Sequence, residues 1–266
     1  MTEAKTTIMK IGGSVITDKN IELTPRTQTI DRLAEETQEA GVENLIIVHG
    51  GGSFGHPAAQ RSAIKEGLKN VEQKMGFAET HHFMTVLNGL VMDSLITHNI
   101  PAVTIMTSSC AVTEDGRIRS FEDTPLKMLL KMGFLPVLYG DAVPDAKLGF
   151  TVLSGDQLVS ALATRLNAQR IIVGVDVDGL FDADPKVEKT AKRFSHLTLD
   201  KLRQLQRNVG KSTACDVTGG MFGKIFELLP ALEQGIPVTI LNATKPGRIY
   251  KALKGESTEC TLIEKE

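Results

Sequence analysis

Two short runs of glycine follow apolar segments and have the composition of phosphate-binding turns. GGG at 50–52 follows LIIVH at 45–49, and GGS at 12–14 follows TIMKI at 7–11. Glycine tolerates positive φ and lets backbone N–H groups approach a ligand closely, and clustered N–H donors bind oxyanions well. A turn required by packing alone is the alternative, but three consecutive glycines lose much conformational entropy on folding. The sequence therefore predicts two backbone cradles for phosphate.

Two known nucleotide-binding motifs fit the letters of the central stretch but not its surroundings. Gly50, Gly52 and Gly55 satisfy GxGxxG, yet no second strand ends in an acidic residue about 20 positions later, where a ribose-binding carboxylate belongs. A Walker A loop requires Lys followed by Ser or Thr where this chain has His56 and Pro57. The cradle is therefore predicted to belong to another class of phosphate-binding turn.

Three lysines accompany these turns and a third glycine-containing stretch. Lys10 and Lys19 flank the turn at 12–14, and Lys224 closes DVTGGMFGK at 216–224, where glycines open a predicted helix. Transfer of a phosphoryl group between two anionic phosphates needs positive charge, because the reactants repel each other. It needs no strong base, since a phosphate monoester is already ionised at neutral pH. The lysines fit that chemistry, whereas solvated surface lysines are the alternative for Lys10 and Lys19.

An acidic loop follows the predicted strand at 170–175. Its four carboxylates are Asp176, Asp178, Asp182 and Asp184. Their order differs from that of an EF-hand, and the glutamate at the twelfth position is missing. Direct binding of a divalent ion by this loop is the weaker alternative, and we predict no metal site built from protein ligands.

Apolar periodicity predicts strands and helices that alternate along the chain. The predicted strands are 7–11, 45–48, 102–106, 135–139, 170–175, 237–241 and 260–263, with a hairpin around 112–118. The predicted helices are 27–40, 77–98, 124–131, 156–166, 199–209, 249–253 and one that runs from the 216–224 stretch to Gly235. Residues 61–74 lack a period and are predicted to form a mobile segment beside the site. The alternation indicates one α/β domain over residues 1–266, an αβα sandwich with a mainly parallel central sheet.

Two of the predicted helices bring side chains towards the glycine turns. Ser154 opens a capping-box pattern, which places Asp156 in the first turn of its helix. The helix at 77–98 has a broad apolar face that is mostly core. We predict that part of this helix lines an apolar pocket with Phe77, Phe83, Met84 and Leu87, and that Phe83 and Leu87 contact the substrate. The three histidines of this helical region are predicted to be surface or capping residues rather than metal ligands.

Composition excludes several classes of protein. The three cysteines are odd in number and widely separated, so neither a disulfide framework nor a zinc site is predicted, and a reducing cytoplasm fits best. No stretch has the roughly 18 apolar residues of a membrane span. The net charge is −2 and the basic residues are dispersed, which argues against a nucleic-acid partner. We predict a cytoplasmic protein with small-molecule partners.

Five motifs resemble, in order and spacing, those of the amino acid kinase superfamily. They are KIGGS at 10–14, HGGGSFGH at 49–56, SGDQL at 154–158, DVDG at 176–179 and DVTGGM at 216–221. The likeness covers nearly the whole chain. Several of the motifs mark only the superfamily, whereas GSFGH, with its histidine at position 56, is similar to the isopentenyl phosphate kinases in particular.

The resemblance implies ATP-dependent phosphorylation of isopentenyl phosphate to isopentenyl diphosphate, by in-line phosphoryl transfer with ATP and Mg²⁺. This reaction belongs to an alternative mevalonate route that is best known in archaea. The resemblance also implies an amino acid kinase-like fold and favours a homodimer. Residues 1–168 would then form the acceptor-substrate lobe and residues 169–266 the nucleotide-binding lobe.

The resemblance also assigns site residues. ATP would be contacted by Lys10, Ile11, Gly12, Gly13, Ser14, Gly52, Asp176, Phe181, Gly220 and Lys224. The acceptor phosphate would be contacted by Gly51, His56 and Gly155, and the apolar face of the helix at 77–98 would place Phe83 and Leu87 along the alkyl chain. The catalytic groups would be Lys10, Lys19, His56, Asp156 and Lys224. Relatives often have tyrosine where this chain has Phe181, which carries no hydroxyl group.

Each catalytic group has an expected role. The resemblance implies that Lys19 stabilises the transferring group, and the chemistry suggests that Asp156 orients Lys10 and Lys224 through charge-assisted hydrogen bonds. His56 would be a donor and anchor for the acceptor phosphate rather than a base. The proline that follows His56 is predicted to restrict it to extended conformations and to aim its ring into the cradle.

Three alternatives remain open. A kinase of fosfomycin, a nucleoside monophosphate or an amino acid would share the nucleotide motifs, and its acceptor pocket would differ. An NAD-dependent oxidoreductase would use the GxGxxG letters and would be stabilised against heat by a nicotinamide cofactor rather than ATP. A non-catalytic sensor of the same fold would have lost its charged site residues, which this chain retains.

Overall fold

The computed structural model describes residues 5–209 and 221–266 of the chain, which contain twelve strands and eleven helices. In chain order, the strands are β1 (Thr7–Ile11), β2 (Leu45–His49), β3 (Ala102–Thr104), β4 (Ala111–Glu114), β5 (Arg117–Phe121), β6 (Leu135–Tyr139), β7 (Asp141–Asp145), β8 (Gly149–Leu153), β9 (Arg170–Val175), β10 (His196–Thr198), β11 (Val238–Asn242) and β12 (Cys260–Glu264). The helices are α1 (Gly13–Ile16), α2 (Thr27–Ala40), α3 (Gly52–Arg61), α4 (Glu72–Thr97), α5 (Thr107–Cys110), α6 (Thr124–Lys131), α7 (Gly155–Leu166), α8 (Leu199–Val209), α9 (Met221–Phe226), α10 (Leu229–Glu233) and α11 (Arg248–Lys254).

The main sheet has eight strands in the order β10-β12-β11-β9-β1-β2-β6-β3. All its neighbours are parallel except the pair β11 and β12. β1 lies between β2 and β9, with Thr7 opposite both Leu45 and Arg170. Since the turns after β1 and β2 leave neighbouring parallel strands at the same edge, the sheet itself brings the two glycine runs together.

Helices cover both faces of this sheet, which confirms the predicted αβα sandwich. One apolar cluster joins the sheet to α6, α7, α8 and α10, and the other joins it to α2, α4 and α11. β1 contributes Ile8 to the first cluster and Met9 to the second, because successive side chains of a strand point to opposite faces. A strand buried on both faces is apolar throughout, so Lys10 of β1 is an exception that needs a partner.

A second, four-stranded sheet has the order β5-β4-β7-β8. The predicted hairpin around 112–118 is its β4–β5 pair, and the turn is made by Asp115 and Gly116, both with positive φ. The β7–β8 hairpin was not predicted because β7, with the sequence DAVPD, carries two aspartates and a proline. Asp145 accepts hydrogen bonds from four backbone N–H groups at the ends of both hairpins, which accounts for a buried carboxylate in a strand.

One sequence prediction about local structure is wrong, and another segment is more regular than its pattern indicates. Residues 61–74, predicted to be a mobile segment, contain a turn of 3₁₀ helix at Ile64–Glu66 and the start of α4 at Glu72. The Gln73 amide joins this segment by accepting from the Lys69 N–H and donating to the Ser62 carbonyl.

The helix predicted to run to Gly235 is broken into α9 and α10. Pro230 lies in the first turn of α10 and lacks the N–H that would continue a single helix from α9. In the segments that the structure describes, no helix combines the length and apolarity needed to cross a bilayer.

Candidate active site

The two glycine turns touch each other through their backbones. A Cβ atom on Gly13 would lie 2.1 Å from the nitrogen of Gly52, and one on Gly52 would lie 2.0 Å from Oγ1 of Thr17. Gly52 also has a φ of 48°. Any side chain at either position would force the turns apart, so the close approach requires glycine at both.

Each turn opens a helix, and several of its N–H groups are free. Within residues 5–209 and 221–266, the N–H groups of Gly13, Ser14, Gly51 and Gly52 have no hydrogen-bond acceptor. The first two begin α1, and the last two begin α3. Unpaired N–H groups at helix starts favour anions, so the paired turns form one surface suited to phosphate oxygens.

Lys10 and Asp156 form a buried ion pair next to these turns. Lys10 is only 4% exposed, and its Nζ lies 2.9 Å from Oδ1 of Asp156. Asp156 sits in the first turn of α7, whose N-cap Ser154 accepts the Gln157 N–H through its side chain. The Gln157 side chain instead bonds the backbone of β5 and its turn, so the capping box is half formed. The partner that a lysine in β1 needs is therefore Asp156.

Lys224 and His56 belong to the same electrostatic cluster. Burial and the charge of Lys10 lower the pKa of Lys224, while the carboxylate of Asp156 acts in the opposite direction. Loss of solvent lowers the pKa of His56, and the charges of Lys224 and Lys10 lower it further. Among the described residues, Lys224 has no ion pair within 4.0 Å, so the predicted direct bond from Asp156 is not formed here. The neutral form of His56 is thus favoured before an anion arrives.

The predicted extended conformation of His56 is wrong. His56 lies inside α3, and Pro57 is also inside that helix. Proline leaves the carbonyl of Ser53 without its usual helical donor, and the N–H of Leu23 donates to it instead at 3.2 Å. The neighbouring loop therefore allows a helix that the sequence pattern excludes. His56 reaches the protein surface on this helix, although surrounding protein atoms keep water from part of its ring.

Asp176 binds two lysines, one of which sequence patterns did not identify. Its Oδ2 lies 3.1 Å from Nζ of Lys19 and 2.6 Å from Nζ of Lys186. Burial alone raises the pKa of Asp176, but these two hydrogen bonds outweigh it and hold the pKa well below its usual range. Lys186 lies ten residues after Asp176, in the acidic loop, and only its place in that loop could have pointed to it.

The other carboxylates of the acidic loop have partners within the protein. Asp178 pairs with Arg248 at 2.6 Å and accepts from Asn242, while Asp182 and Asp184 accept backbone N–H groups. A search of the described residues finds no group of three or more His, Cys, Asp or Glu side chains that could hold a metal ion.

The side chains predicted to line the apolar pocket lie at different places on α4. Leu87 is fully buried in the apolar cluster of α2 and the sheet, and Phe83 packs against the same cluster. Met84 lies at the glycine turns, with its Sδ 2.8 Å from the place of a Cβ on either Gly51 or Gly55. Of the predicted pocket residues Phe83, Met84 and Leu87, Met84 is therefore the one beside the turn that opens α3.

His81, also on α4, holds that helix to β7. Its Nδ1 lies 2.9 Å from Oδ2 of the buried Asp141. Burial raises the pKa of Asp141 to about 6, although His81 acts against this rise. A residue expected at the surface or at a cap therefore fixes the position of α4 over the site.

The remaining predicted residues lie around the turns. Ile11 is buried, the Gly12 N–H donates to the Gly174 carbonyl, and Gly155 lies behind the carbonyl of His49. Phe181 is half-buried after the acidic turn and pairs in a short bridge with Arg193. Gly220 lies outside the described residues.

His49 is a fully buried histidine directly before the central glycine turn. Its ring stacks on Tyr139 with centroids 5.3 Å apart, and Nε2 lies 3.3 Å from Oδ1 of Asn88. Burial lowers the pKa of His49 to about 4, despite its hydrogen bonds to Gly50 and Asn88.

The low pKa of His49 predicts a loss of stability in acid. Between pH 6.5 and 4 the unfolded chain binds a proton at this position and the folded chain does not, so the free energy of unfolding falls as the pH falls. We expect this group to contribute a decrease of about 3 kcal/mol from pH 7 to pH 4. Urea unfolding at both pH values measures it, and the decrease should be smaller by that amount in His49→Asn. An equal decrease in both proteins would contradict the assignment.

Comparison with known proteins gives a consistent result. The chain matches the model of the amino acid kinase family over residues 5–242. It is 40% identical to the isopentenyl phosphate kinase of Methanothermobacter thermautotrophicus, over 96% of this chain and 98% of that protein. It is 35% identical to the isopentenyl phosphate kinase of Methanocaldococcus jannaschii, over 94% of this chain and 95% of that protein. A crystal structure of an isopentenyl phosphate kinase superposes with a TM-score of 0.86 at 37% identity, covering 97% of this chain and 99% of the other.

Proposed function

This chain belongs to the amino acid kinase family and, within it, to the isopentenyl phosphate kinases, and from that membership we propose how its residues divide the work of phosphoryl transfer. The enzyme transfers the γ-phosphoryl group of ATP to isopentenyl phosphate and forms isopentenyl diphosphate, in an alternative mevalonate pathway. The observation that carries the proposal is the backbone contact between the turns of Gly13 and Gly52, with the Lys10–Asp156 pair beside it.

The two touching turns would hold donor and acceptor phosphates against each other. The turn that opens α1, together with Gly52, would present free N–H groups to the nucleotide, and Gly51 would present its N–H to the acceptor. Because the turns touch, the two phosphates would be held at a fixed short separation, which supplies much of the catalysis by positioning. The acceptor oxygen attacks as an anion, so no proton has to be removed from it.

The cations would neutralise the charge of the transferring group. Lys10 is held by Asp156, and Lys224 lies in the same cluster with a pKa lowered by burial and by Lys10. Lys19 and Lys186 are held together at one oxygen of Asp176, from which they can reach nucleotide phosphates. A preorganised charge at a developing anion contributes several kcal/mol to catalysis. His56 would donate to the acceptor phosphate from the first two turns of α3.

Mg²⁺ would enter with ATP rather than occupy a site made by the protein. The described residues offer no set of three ligands, and both nearby carboxylates, Asp156 and Asp176, are engaged by lysines. When bound to the nucleotide, the ion would neutralise phosphate charge. No step is assigned to a metal held by the protein.

We also propose a division into lobes, a homodimer and a cytoplasmic location. Residues 1–168 would form the acceptor lobe and residues 169–266 the nucleotide lobe, since the acceptor turn and Asp176 fall on either side of that boundary. The turn that opens α1 would reach the nucleotide from the acceptor lobe. A homodimer would cover the edge strand β3 and the exposed apolar side chains Ile96, Met128 and Met132. A cytoplasmic location fits the free thiols of Cys110 and Cys260.

One acceptor screen tests the function. ADP release is measured with isopentenyl phosphate, dimethylallyl phosphate, fosfomycin, UMP and glutamate at equal concentrations, and ³¹P NMR identifies the product. We expect the highest kcat/KM with isopentenyl phosphate and a diphosphate product. A higher kcat/KM with UMP, fosfomycin or glutamate would reject the assignment.

The position of Met84 predicts which variant changes the acceptor's chain length. Met84→Ala would open space beside Gly51 and Gly55, and each additional CH₂ buried there gains about 0.8 kcal/mol. We expect the ratio of kcat/KM for geranyl phosphate to that for isopentenyl phosphate to rise at least tenfold. Leu87→Ala and Phe83→Ala are the matched controls, because both side chains pack into the core of α2 and the sheet. A larger rise of this ratio in Leu87→Ala or Phe83→Ala than in Met84→Ala would show that those side chains, rather than Met84, limit the acceptor's chain length.

A further inference from the structure

We infer that His49 is a positioning residue for the acceptor turn: its neutral ring carries hydrogen on Nδ1 and holds the Gly50 carbonyl, so that the N–H of Gly51 faces the acceptor phosphate. The inference rests on the proposed function only in naming that phosphate. His49 is the first histidine of HGGGSFGH, whereas the proposed anchor of the acceptor phosphate, His56, is the second.

Both ring nitrogens of His49 contact oxygen atoms. Nδ1 lies 3.2 Å from the carbonyl oxygen of Gly50, and Nε2 lies 3.3 Å from Oδ1 of Asn88. A neutral imidazole has one N–H, so it can donate to only one of these oxygens. A charged imidazole could donate to both, but full burial opposes the charge and lowers the pKa to about 4.

The contact with Asn88 decides which ring nitrogen of His49 carries the hydrogen. The amide of Asn88 also lies 2.8 Å from Oγ1 of Thr104, and that hydroxyl can either accept or donate. If the amide is rotated by 180°, its NH₂ donates to Nε2 of His49 and its oxygen accepts from Thr104. Every group is then satisfied, provided that the His49 hydrogen is on Nδ1. If the hydrogen were on Nε2 instead, the lone pair of Nδ1 would face a lone pair of the Gly50 carbonyl oxygen, and the two would repel each other.

Because the peptide bond is planar, the hydrogen bond to the Gly50 carbonyl also fixes the direction of the Gly51 N–H. In a trans peptide, the carbonyl of Gly50 and the N–H of Gly51 point in opposite directions. Holding the carbonyl towards the ring therefore turns the N–H away from it. In the part of the chain that the structure describes, this N–H has no acceptor.

The ring can hold this peptide because it is itself fixed. The His49 carbonyl accepts from the Gly140 N–H at 3.1 Å, and the ring stacks on Tyr139. Gly50 and Gly51 have no side chains of their own that could restrict their peptide. Through Asn88, the same ring also links the turn to α4, the helix that carries Met84.

Three substitutions of His49 test the hydrogen bond to the Gly50 carbonyl separately from the one to Asn88. His49→Asn keeps an amide donor at the place of Nδ1, His49→Gln reaches the place of Nε2, and His49→Leu keeps neither. In His49→Leu we expect KM for isopentenyl phosphate to rise at least tenfold and KM for ATP to change less than twofold. We expect His49→Asn to stay within about threefold of wild type for both, and His49→Gln to resemble His49→Leu.

Stability is measured alongside, because a buried histidine also supports the fold. All assays are run well below the lowest Tm of the series. Equal rises of KM for isopentenyl phosphate and ATP, or rescue by His49→Gln instead of His49→Asn, would overturn the inference.

The hydrogen position is tested independently of activity. Long-range ¹H–¹⁵N NMR of the wild-type chain should show His49 with a protonated Nδ1 and an unprotonated Nε2, unchanged between pH 5.5 and 8.5. Protonation at Nε2 would reject the inference even if the enzyme phosphorylates isopentenyl phosphate. Failure of the acceptor screen would reject the proposed function and leave this spectroscopic result standing.

Discussion

Lys10→Met is expected to lower kcat at least 100-fold. Lys10 is buried beside the two touching turns and paired with Asp156, so its charge is fixed where phosphoryl transfer would occur. Removing one such preorganised charge costs about 10²- to 10³-fold in kcat. The substitution also leaves Asp156 buried without its partner, which costs about 3–5 kcal/mol of stability. For a chain of this size, that corresponds to a decrease in Tm of roughly 10 °C.

A double variant separates catalysis from stability. In Lys10→Met/Asp156→Asn the unpaired charge is removed, so most of the loss in Tm should be recovered while kcat stays low. Lys127→Met, at an exposed lysine of α6, is the matched control and should change neither quantity. If the double variant recovers kcat as well, Lys10 serves only to neutralise Asp156.

His56→Ala is expected to lose acceptor affinity and turnover together. We expect KM for isopentenyl phosphate to rise at least tenfold and kcat to fall about 100-fold, with the Kd for ATP unchanged. Burial and the cations around His56 lower its pKa in the free enzyme, whereas a dianionic acceptor would raise it. We therefore expect the imidazole to take up a proton and act as a charged donor when the acceptor binds.

Proton uptake distinguishes this role from a structural one. Calorimetry of acceptor binding at pH 7, in buffers of different ionisation enthalpy, should show uptake that is absent in His56→Ala. His56→Gln keeps a donor without the charge and should retain part of the activity. His82→Ala, an exposed histidine of α4, should match the wild type. Wild-type kcat/KM in His56→Ala would contradict both the role and the choice of acceptor.

The parts of the fold that sequence predicts well are those whose burial matches their local pattern. β1, β6 and β9 are mainly apolar because both faces of the main sheet are covered, and their predicted bounds are confirmed. Among the helices that the sequence did not predict, α1 and α3 begin in glycine and contain little apolar periodicity. Their start is fixed by the contact between the turns and by the Leu23 N–H, neither of which a local pattern contains.

The candidate site was predictable in residue type but not in every contact. Lysines beside glycine turns identify the chemistry, and Lys10 and Asp156 do lie together. Pattern could not choose between Met84 and Leu87, because α4 packs against the core on one side and the acceptor turn on another. Lys186 and His49 were missed as well, since their partners come from the acidic loop and from Asn88.

The contact between Gly13 and Gly52 has a consequence for protein engineering. Because main-chain atoms meet there, the gap between the two phosphate sites cannot be widened or narrowed by exchanging side chains. A mutant library for new acceptors should leave both positions unchanged and place its diversity along α4. Any homologue with a larger residue at either position must have a different main-chain path through these turns, which makes the pair a simple filter for choosing templates.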